Sequence, residues 1–219
     1  MDPFHRRLIE IGLSVADQYG FALAGGYAVQ AYGIVERPSE DVDLFGGLEM
    51  DCPAAAGRVA EAYRTAGYQA EILQSTERYV RLWISTPSSD QGCKVEVVAD
   101  VRFRPPVHME MGPVLHPDDV AAGKTEALFN RALARDFIDV DALLESGRYT
   151  RDQLLDLAAR RDAGFDREVF AEMLTYVHRR TDEEFIVYGV DTAHTAAIRA
   201  RFSAWEKDLR KGKSTGVSP

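Results

Sequence analysis

The sequence predicts an α/β (α+β) fold: a mixed sheet with flanking helices, followed by a C-terminal helical bundle. Up to residue 112, segments with the two-residue period of strands alternate with segments of helical period. From residue 113 onwards the strand period disappears and only helical patterns follow. We therefore predict a sheet domain at 1–112, a helical domain at 113–211 and a disordered tail at 212–219.

The elements of the first domain follow from apolar spacing and from glycine and proline positions. Apolar residues at helical spacing predict the first helix, which ends at Gly20, and a proline starts the third helix. The predicted helices are 4–19, 27–32 and 53–66. The predicted strands are 21–24, 41–45, 68–73, 78–85 and 94–101, with a turn over 87–92.

The second domain opens at Pro117-Asp118-Asp119, where proline and acidic residues indicate a helix N-terminus. The pattern there predicts helices only. They cover 117–133, 135–145, 150–162, 166–180 and 192–211.

Composition excludes several classes of protein. The 219 residues include 46% hydrophobic residues, too many for a disordered chain. No apolar run is long enough to span a bilayer, and the N-terminus lacks a secretory signal, so we expect no membrane partner. Two cysteines, Cys52 and Cys93, favour a reducing cytoplasm. The net charge of −9 lies entirely in residues 1–144, so this acidic part is a poor non-specific binder of nucleic acid unless metal ions intervene.

Two aspartates on one predicted strand carry the functional signal. Asp41 and Asp43 are at positions i and i+2 of a strand, so their side chains share a face. Carboxylates this close repel each other unless a cation lies between them. Oxygen ligands of this kind suit Mg²⁺, which completes its shell with water and substrate phosphates.

A glycine pair lies shortly before these aspartates. Gly25 and Gly26 end a strand and start a helix, where backbone N–H groups can approach a phosphate closely. Ser39 could meet a phosphate or cap its own loop. Phosphate binding beside a metal site is the apparatus of metal-assisted nucleotidyl transfer.

The glycine pair and the segment Arg37-x-Ser39-x-Asp41-Val42-Asp43-Leu44-Phe45 resemble the nucleotidyltransferase superfamily with the DNA polymerase β fold. Within it, the pattern is most similar to the AbiEii/AbiGii toxin family, which includes the mycobacterial MenT toxins. The resemblance implies a third carboxylate from a later strand. Glu96 and Asp100 are the candidates, and Glu96 is favoured because it lies in the middle of its strand.

A second motif begins at Lys124. Lys124 and Arg131 are seven residues apart on a predicted helix and share a face, while Asp136 and Asp139 share a face of the next. The pattern of Lys124, Arg131 and then Arg135-Asp136-x-x-Asp139 resembles the same toxin family. It implies that Lys124 contacts the nucleotide, with Arg131 beside it, and that Asp136 or Asp139 is needed for activity. The alternative is that the arginines and aspartates form ion pairs between helices.

The resemblance implies transfer of a nucleoside monophosphate from a nucleoside triphosphate to an acceptor hydroxyl, with release of pyrophosphate. Asp41, Asp43 and Glu96 would hold two Mg²⁺ ions, for which Mn²⁺ could substitute, and Glu96 would help to deprotonate the acceptor. The implied acceptor is the 3′ end of tRNA, and the implied partner is an antitoxin. Six arginines could guide RNA: Arg148, Arg151, Arg160, Arg161, Arg179 and Arg180.

Two other functions share parts of this pattern. An antibiotic nucleotidyltransferase acting on an aminoglycoside or lincosamide has the same glycine and aspartate apparatus, and the acidic charge suits a cationic substrate. A non-catalytic nucleotide- or partner-binding module is the second alternative. The five histidines show no metal-ligand spacing, and none is predicted to be catalytic.

Overall fold

A computed structural model describes residues 1–87 and 91–214, and it divides the chain into two units. The first unit ends at Val120 and the second begins at Ala121. The elements of the first unit are α1 (Pro3–Ala16), β1 (Ala22–Leu23), α2 (Gly25–Ala31), β2 (Asp41–Gly46), α3 (Cys52–Thr65), β3 (Gln69–Ser75), β4 (Tyr79–Ser85), β5 (Gly92–Ala99), β6 (Val107–Met109) and β7 (Gly112–Val114).

The strands form one mixed sheet in the order β3-β4-β5-β2-β1-β7-β6. At its centre β2 runs parallel to β5 and antiparallel to β1, while β4 runs antiparallel to β5. Alternate residues of β2, β4 and β5 are buried, and helices α1 and α3 contact these strands. One face of the sheet therefore forms the core, and the other carries the polar residues of the same strands.

The short hairpin of β6 and β7 was not predicted. Each strand has only three residues, and Pro113 interrupts the second, so the sequence carries almost no strand period there. Because β7 pairs with β1, this segment belongs to the sheet unit. The structure therefore places the boundary between units after Val120, later than the predicted one at 112.

Helix α4 (Pro117–Arg131) spans the boundary between the units, and the second unit is helical throughout its described residues. Its other helices are α5 (Ala134–Glu145), α6 (Arg151–Arg161), α7 (Arg167–Thr175), α8 (Asp182–Ile186) and α9 (Thr192–Ser214). Aromatic pairs fill its core, among them Phe137 with Phe202 and Phe170 with Trp205. Each aromatic side chain of this kind buries a large apolar area.

Two predicted segments fall partly outside the described residues. The turn predicted over 87–92 includes residues 88–90, and the tail predicted over 212–219 includes 215–219. Helix α9 extends to Ser214, so its last residues overlap the predicted tail. Within the described chain, none of the helices combines the length and the apolar composition that crossing a bilayer requires.

Candidate active site

The glycine pair at the start of α2 lies directly against two predicted site residues. Gly25 has a φ of 59°, a left-handed conformation that residues with a side chain rarely adopt. A Cβ on Gly25 would lie 1.7 Å from Asp43 Oδ2, and one on Gly26 would lie 2.4 Å from Ser39 Oγ. Any larger residue would displace the carboxylate or the hydroxyl, so both positions require glycine.

Hydrogen bonds fasten the loop that carries Ser39 to helix α2. The Tyr27 hydroxyl donates to the Ser39 carbonyl oxygen at 3.0 Å and is also hydrogen-bonded to His5 Nδ1. Gln30 Nε2 donates to the Arg37 carbonyl oxygen at 2.6 Å. Burial raises the pKa of Tyr27, so that its hydroxyl keeps the proton for this bond. Ser39 is thereby fixed beside the glycine pair.

Asp41 and Asp43 occupy alternate positions of β2 and are partly exposed, whereas Val42 and Leu44 between and after them are fully buried. The two carboxylate side chains therefore project from the same face of the sheet. The Ala24 N–H donates to the Asp43 carbonyl oxygen at 2.8 Å, which ties the residue before the glycine pair to the acidic strand.

The neighbouring strand β5 places a charged residue beside each aspartate. In the parallel register, Asp41 pairs with Lys94 and Asp43 pairs with Glu96. Lys94 Nζ lies 3.9 Å from Asp41 Oδ1, with 46% of the lysine side chain exposed. An ion pair this long and this exposed contributes little to stability, so it does not commit Asp41 to a structural role.

Glu96 is held by two residues of β4. The Tyr79 hydroxyl donates to Glu96 Oε1 at 2.8 Å, and Arg81 Nε donates to the same oxygen at 3.0 Å. Burial and this carboxylate raise the pKa of Tyr79 to about 12, and the carboxylate also raises the pKa of Arg81. Both contacts use Oε1, so Glu96 Oε2 has no hydrogen-bond partner within the described chain.

Asp100, the other candidate for the third carboxylate, lies just beyond the end of β5. Its Oδ1 accepts the N–H of Val101 at 2.6 Å, and its own N–H donates to the Gly46 carbonyl oxygen at 3.0 Å. Asp100 thus stabilises the end of the strand, whereas Glu96 is in register with Asp43. This geometry favours Glu96.

The donor set suits a hard divalent cation. Asp41 and Asp43 supply carboxylate oxygens on one face, and the glycine pair leaves backbone open beside them, as magnesium with substrate phosphates requires. Glu96 is placed less well than the two aspartates to be a metal ligand, because Arg81 draws its carboxylate toward β4 and away from β2. A divalent ion would thus rely mainly on the two aspartates.

Another group of metal-type donors lies in the helical unit. Within residues 1–87 and 91–211, the one group of three donors mutually within 4.8 Å is Asp141, Glu145 and His194. Arg201 already occupies it: its Nε and Nη2 donate to Asp141 at 2.7 and 2.6 Å, and its Nη1 lies 3.1 Å from Glu145. These carboxylates raise the pKa of Arg201, which keeps a positive charge where a metal would have to bind.

Lys124 forms a buried ion pair with Asp139. Lys124 Nζ lies 2.8 Å from Asp139 Oδ2, and the aspartate side chain is fully buried between helices α4 and α5. The ammonium group has three N–H donors, so one bond to Asp139 leaves two for other acceptors. Asp139 therefore positions the lysine in addition to balancing its charge.

Arg131 and Asp136 form a second, two-pronged pair. Arg131 Nε and Nη2 lie 2.9 and 2.8 Å from the two Asp136 oxygens, and the Leu133 N–H also donates to this carboxylate at 3.0 Å. Asp136 is fully buried. This pair fastens the α4–α5 connection, as the ion-pair alternative expects of these two residues. Of the two aspartates, Asp139 is the one that contacts Lys124.

Comparison with protein families matches residues 13–214 to one described as the nucleotidyl transferase AbiEii toxin of a type IV toxin–antitoxin system. The chain belongs to the AbiEii family. As members of this family do, it acts as a nucleotidyltransferase on a nucleoside triphosphate, and its toxin–antitoxin classification implies an antitoxin. The predicted family and enzyme class are thereby confirmed.

Solved structures support the same fold. JHP933 from Helicobacter pylori has a TM-score of 0.59 at 18% identity, over 97% of this chain and 94% of that one. MenT4, a nucleotidyltransferase toxin from Mycobacterium tuberculosis, has a TM-score of 0.57 at 17% identity, over 94% of this chain and 86% of that one. No curated protein matches the chain. The predicted nucleotidyltransferase fold with its mixed sheet is confirmed.

Several arginines that the sequence offered for RNA binding have acidic partners in this AbiEii chain. Arg151 lies 2.9 Å from Asp208, and Arg161 lies 2.5 Å from Glu126. Arg180 contacts Glu184 at 3.3 Å within one helical turn, and Arg148 and Arg160 also have partners. These contacts lie within the helical unit, and they reduce the positive charge that these arginines could offer to RNA.

Sequence reasoning missed the residues of β4 that face the aspartates. Tyr79, Arg81 and Trp83 alternate with buried residues, and the strand period in the sequence could have assigned them to one face. What the sequence could not supply was the strand order, which brings β4 within two strand spacings of β2 through β5.

Proposed function

We propose that this AbiEii protein transfers a nucleoside monophosphate from a nucleoside triphosphate to the 3′ end of tRNA, with Mg²⁺ as the metal. The observation that carries the proposal is the contact of the glycine pair with Asp43 and Ser39. It brings an open stretch of backbone and a carboxylate pair to one point, as phosphate binding beside a metal requires.

Each residue then has a defined task. The N–H groups at the start of α2, with the Ser39 hydroxyl, bind the phosphates. The family resemblance implies that Lys124 offsets the charge of the phosphates. Asp41 and Asp43 would be the main ligands for the metal, and Glu96 is the third carboxylate beside them. The metal, when bound, neutralises negative charge on the attacking and leaving oxygens.

The transfer step breaks one bond and forms one. The acceptor hydroxyl oxygen bonds to the α-phosphorus while the bond from that phosphorus to the bridging oxygen breaks, and pyrophosphate leaves. Glu96 Oε2 takes the hydroxyl proton, since Tyr79 and Arg81 hold Oε1 and thereby orient the carboxylate.

The proposal also specifies the acceptor and the cellular location. The similarity to MenT4, a nucleotidyltransferase toxin, together with membership of the AbiEii family, supports an acceptor whose modification stops growth. A tRNA 3′ end meets this requirement, because its blockage halts translation. The proposal includes an antitoxin encoded with the toxin. It also includes a cytoplasmic location, because tRNA is found there and because two free cysteines fit a reducing compartment.

The test is a transfer assay with α-labelled nucleotides. The protein is incubated with Mg²⁺, each of the four nucleoside triphosphates and either total tRNA or a panel of aminoglycosides and lincosamides. Asp41→Ala serves as the inactive variant, and Asp17→Asn, an exposed carboxylate outside the sheet, serves as its matched control.

We expect label on tRNA with wild-type protein and Asp17→Asn, and none with Asp41→Ala or after chelation of the metal. Label on an antibiotic would contradict the acceptor. Transfer that persists in Asp41→Ala would contradict the catalytic site.

A further inference from the structure

One face of the sheet carries polar and aromatic side chains beside the two aspartates. We call it the open face; its members on three adjacent strands are Asp41 and Asp43 of β2, Lys94 and Glu96 of β5, and Arg81 and Trp83 of β4. Their neighbours along each strand, such as Val42, Val95 and Leu82, are fully buried on the other face. The open face therefore continues from the aspartates toward the β3 edge of the sheet.

Trp83 and Tyr79 are aromatic residues of β4 on this face; the Tyr79 hydroxyl is bound to Glu96, whereas 36% of Trp83 is exposed. Its ring lies over Gly92, where a Cβ would come within 2.2 Å of the ring carbon Cζ2. Because Gly92 has no side chain, the indole can lie along the strands at this position. A flat, half-exposed indole in this position has the form of a stacking platform for a planar ring.

The platform is in line with the aspartates. Asp41 pairs with Lys94, and Lys94 pairs in turn with Trp83, so the three residues form one row across β2, β5 and β4. Neighbouring strands lie about 4.8 Å apart, which puts the backbone of Trp83 about 10 Å from the backbone of Asp41. This span is of the order of one nucleotide.

The glycine pair and Trp83 lie on opposite sides of the acidic strand. Gly25 follows β1, which pairs with one edge of β2, whereas Trp83 lies beyond β5, which pairs with the other edge. In an in-line transfer the leaving group and the attacking hydroxyl are on opposite sides of the phosphorus. If the triphosphate lies on the glycine pair, the acceptor must approach from the side of Trp83.

We propose that Trp83 stacks on a nucleobase at the single-stranded end of the nucleic-acid acceptor and so holds its terminal hydroxyl at the aspartates. The inference rests on the proposed function and adds to it a subsite for the acceptor. Stacking on an indole tolerates any base, since every base has a π-face. Trp83 is thus a binding residue outside the glycine, aspartate and lysine motifs.

Charges around the indole set the direction of the acceptor. Lys94, with 46% of its side chain exposed, lies between Trp83 and Asp41 and can contact a phosphate. Glu71 lies on the far side of Trp83, as its register partner on β3, and would repel one. The phosphate of the stacked nucleotide therefore lies on the side of the aspartates.

The experiment compares Trp83→Ala, Trp83→Phe and Ile72→Ala in the full chain. Ile72 is an exposed apolar residue of the same hairpin and pairs with the buried Leu82, so it lies on the opposite face and is the matched control. Circular dichroism checks the fold. Steady-state kinetics measure KM separately for total tRNA and for the nucleoside triphosphate.

We expect Trp83→Ala to raise the KM for tRNA about tenfold to a hundredfold, the range that loss of one base–aromatic stack produces. The KM for nucleotide and the kcat stay within about threefold, Trp83→Phe recovers most of the loss, and Ile72→Ala behaves as wild type. An unchanged KM for tRNA in Trp83→Ala, or a raised KM for nucleotide in its place, overturns the inference.

A binding measurement separates this inference from the proposed function. Trp205, the second tryptophan of the chain, is buried, so Trp83 is the indole that a ligand can reach. We expect the oligoribonucleotide ACCA to quench the fluorescence of wild-type protein and not that of Trp83→Phe. Quenching without any transfer to RNA would refute the proposed function but would support stacking on Trp83. Absence of quenching would overturn the inference that Trp83 stacks on a base.

Discussion

Gly25 and Asp43 are in such close contact that a single methyl group on the glycine would overlap the carboxylate, with 1.7 Å between Cβ and Oδ2. The contact joins the start of helix α2 to the acidic strand β2. It explains why the two motifs occur together, since the left-handed glycine allows the backbone to approach the carboxylate that we assign to the metal.

Gly25→Ala should therefore abolish transfer, whereas Gly33→Ala should not. Both glycines have a left-handed φ, of 59° and 65°, so both substitutions should destabilise the protein by about 1–2 kcal/mol. Nothing lies within 4 Å of a Cβ at Gly33, so only Gly25→Ala displaces Asp43. Urea unfolding and the transfer rate measure the two effects. Equal activity of the two variants would refute the role of the contact.

Glu96→Gln should lower kcat/KM by about 100-fold, the contribution of a positioned proton acceptor. Asp100→Asn is its matched control and should stay within a few fold of wild type, because Asp100 serves the end of β5 through Val101. Steady-state kinetics of the two variants measure the difference. A larger loss in Asp100→Asn would exchange the two assignments.

Variants of the buried Lys124–Asp139 ion pair test separately what it contributes to stability and to activity. Lys124→Met removes the ammonium group that balances the charge of a buried carboxylate and should lower the free energy of unfolding by about 3 kcal/mol. The double variant Lys124→Met/Asp139→Leu removes both charges and should regain much of that stability. Neither variant should transfer nucleotide. Recovery of activity together with stability would show that Lys124 is structural.

Cys93 gives a pH dependence of stability. Burial and then the charge of Asp41 raise the pKa of its thiol from 9.0 to about 12. Above pH 9 the unfolded chain loses this proton while the folded chain keeps it, so the free energy of unfolding falls as the pH rises toward 12.

Between pH 8 and pH 10, wild-type protein should therefore lose about 1 kcal/mol more stability than Cys93→Ala. Urea unfolding at the two pH values measures the difference. The comparison is of the change with pH, so the cavity that the smaller side chain leaves does not affect it. An equal change in both proteins would contradict the raised pKa.

The sequence predicted those parts of the site that depend on local spacing. The shared face of Asp41 and Asp43 follows from the two-residue period of a strand. The start of a helix at the glycine pair follows from the conformational freedom of glycine at the end of a strand. The pairing of Glu96 with Asp43 was implied only by family resemblance. It depends on β2 and β5 being neighbours, although α3, β3 and β4 separate them along the chain.

Long-range partners account for what the sequence could not supply. Arg81 and Tyr79 hold Glu96 across an antiparallel pair whose register no local pattern fixes. The spacing predicts that Arg131 shares a helix face with Lys124, and the structure shows its guanidinium against Asp136, five residues along the chain and on the next helix. Its contact with the nucleotide stays a prediction. Side-chain direction beyond the helix end decides that contact, and spacing alone does not report it.

The central claim is that Asp41 and Asp43 hold a divalent ion against the nucleotide. The most direct test is the electron paramagnetic resonance of Mn²⁺ bound to the protein with a non-hydrolysable nucleoside triphosphate, in wild type, Asp43→Asn and Glu145→Gln. We expect nucleotide-dependent binding of Mn²⁺ in wild type and Glu145→Gln, and its loss in folded Asp43→Asn. Unchanged binding in Asp43→Asn, or loss of binding in Glu145→Gln, would contradict the account.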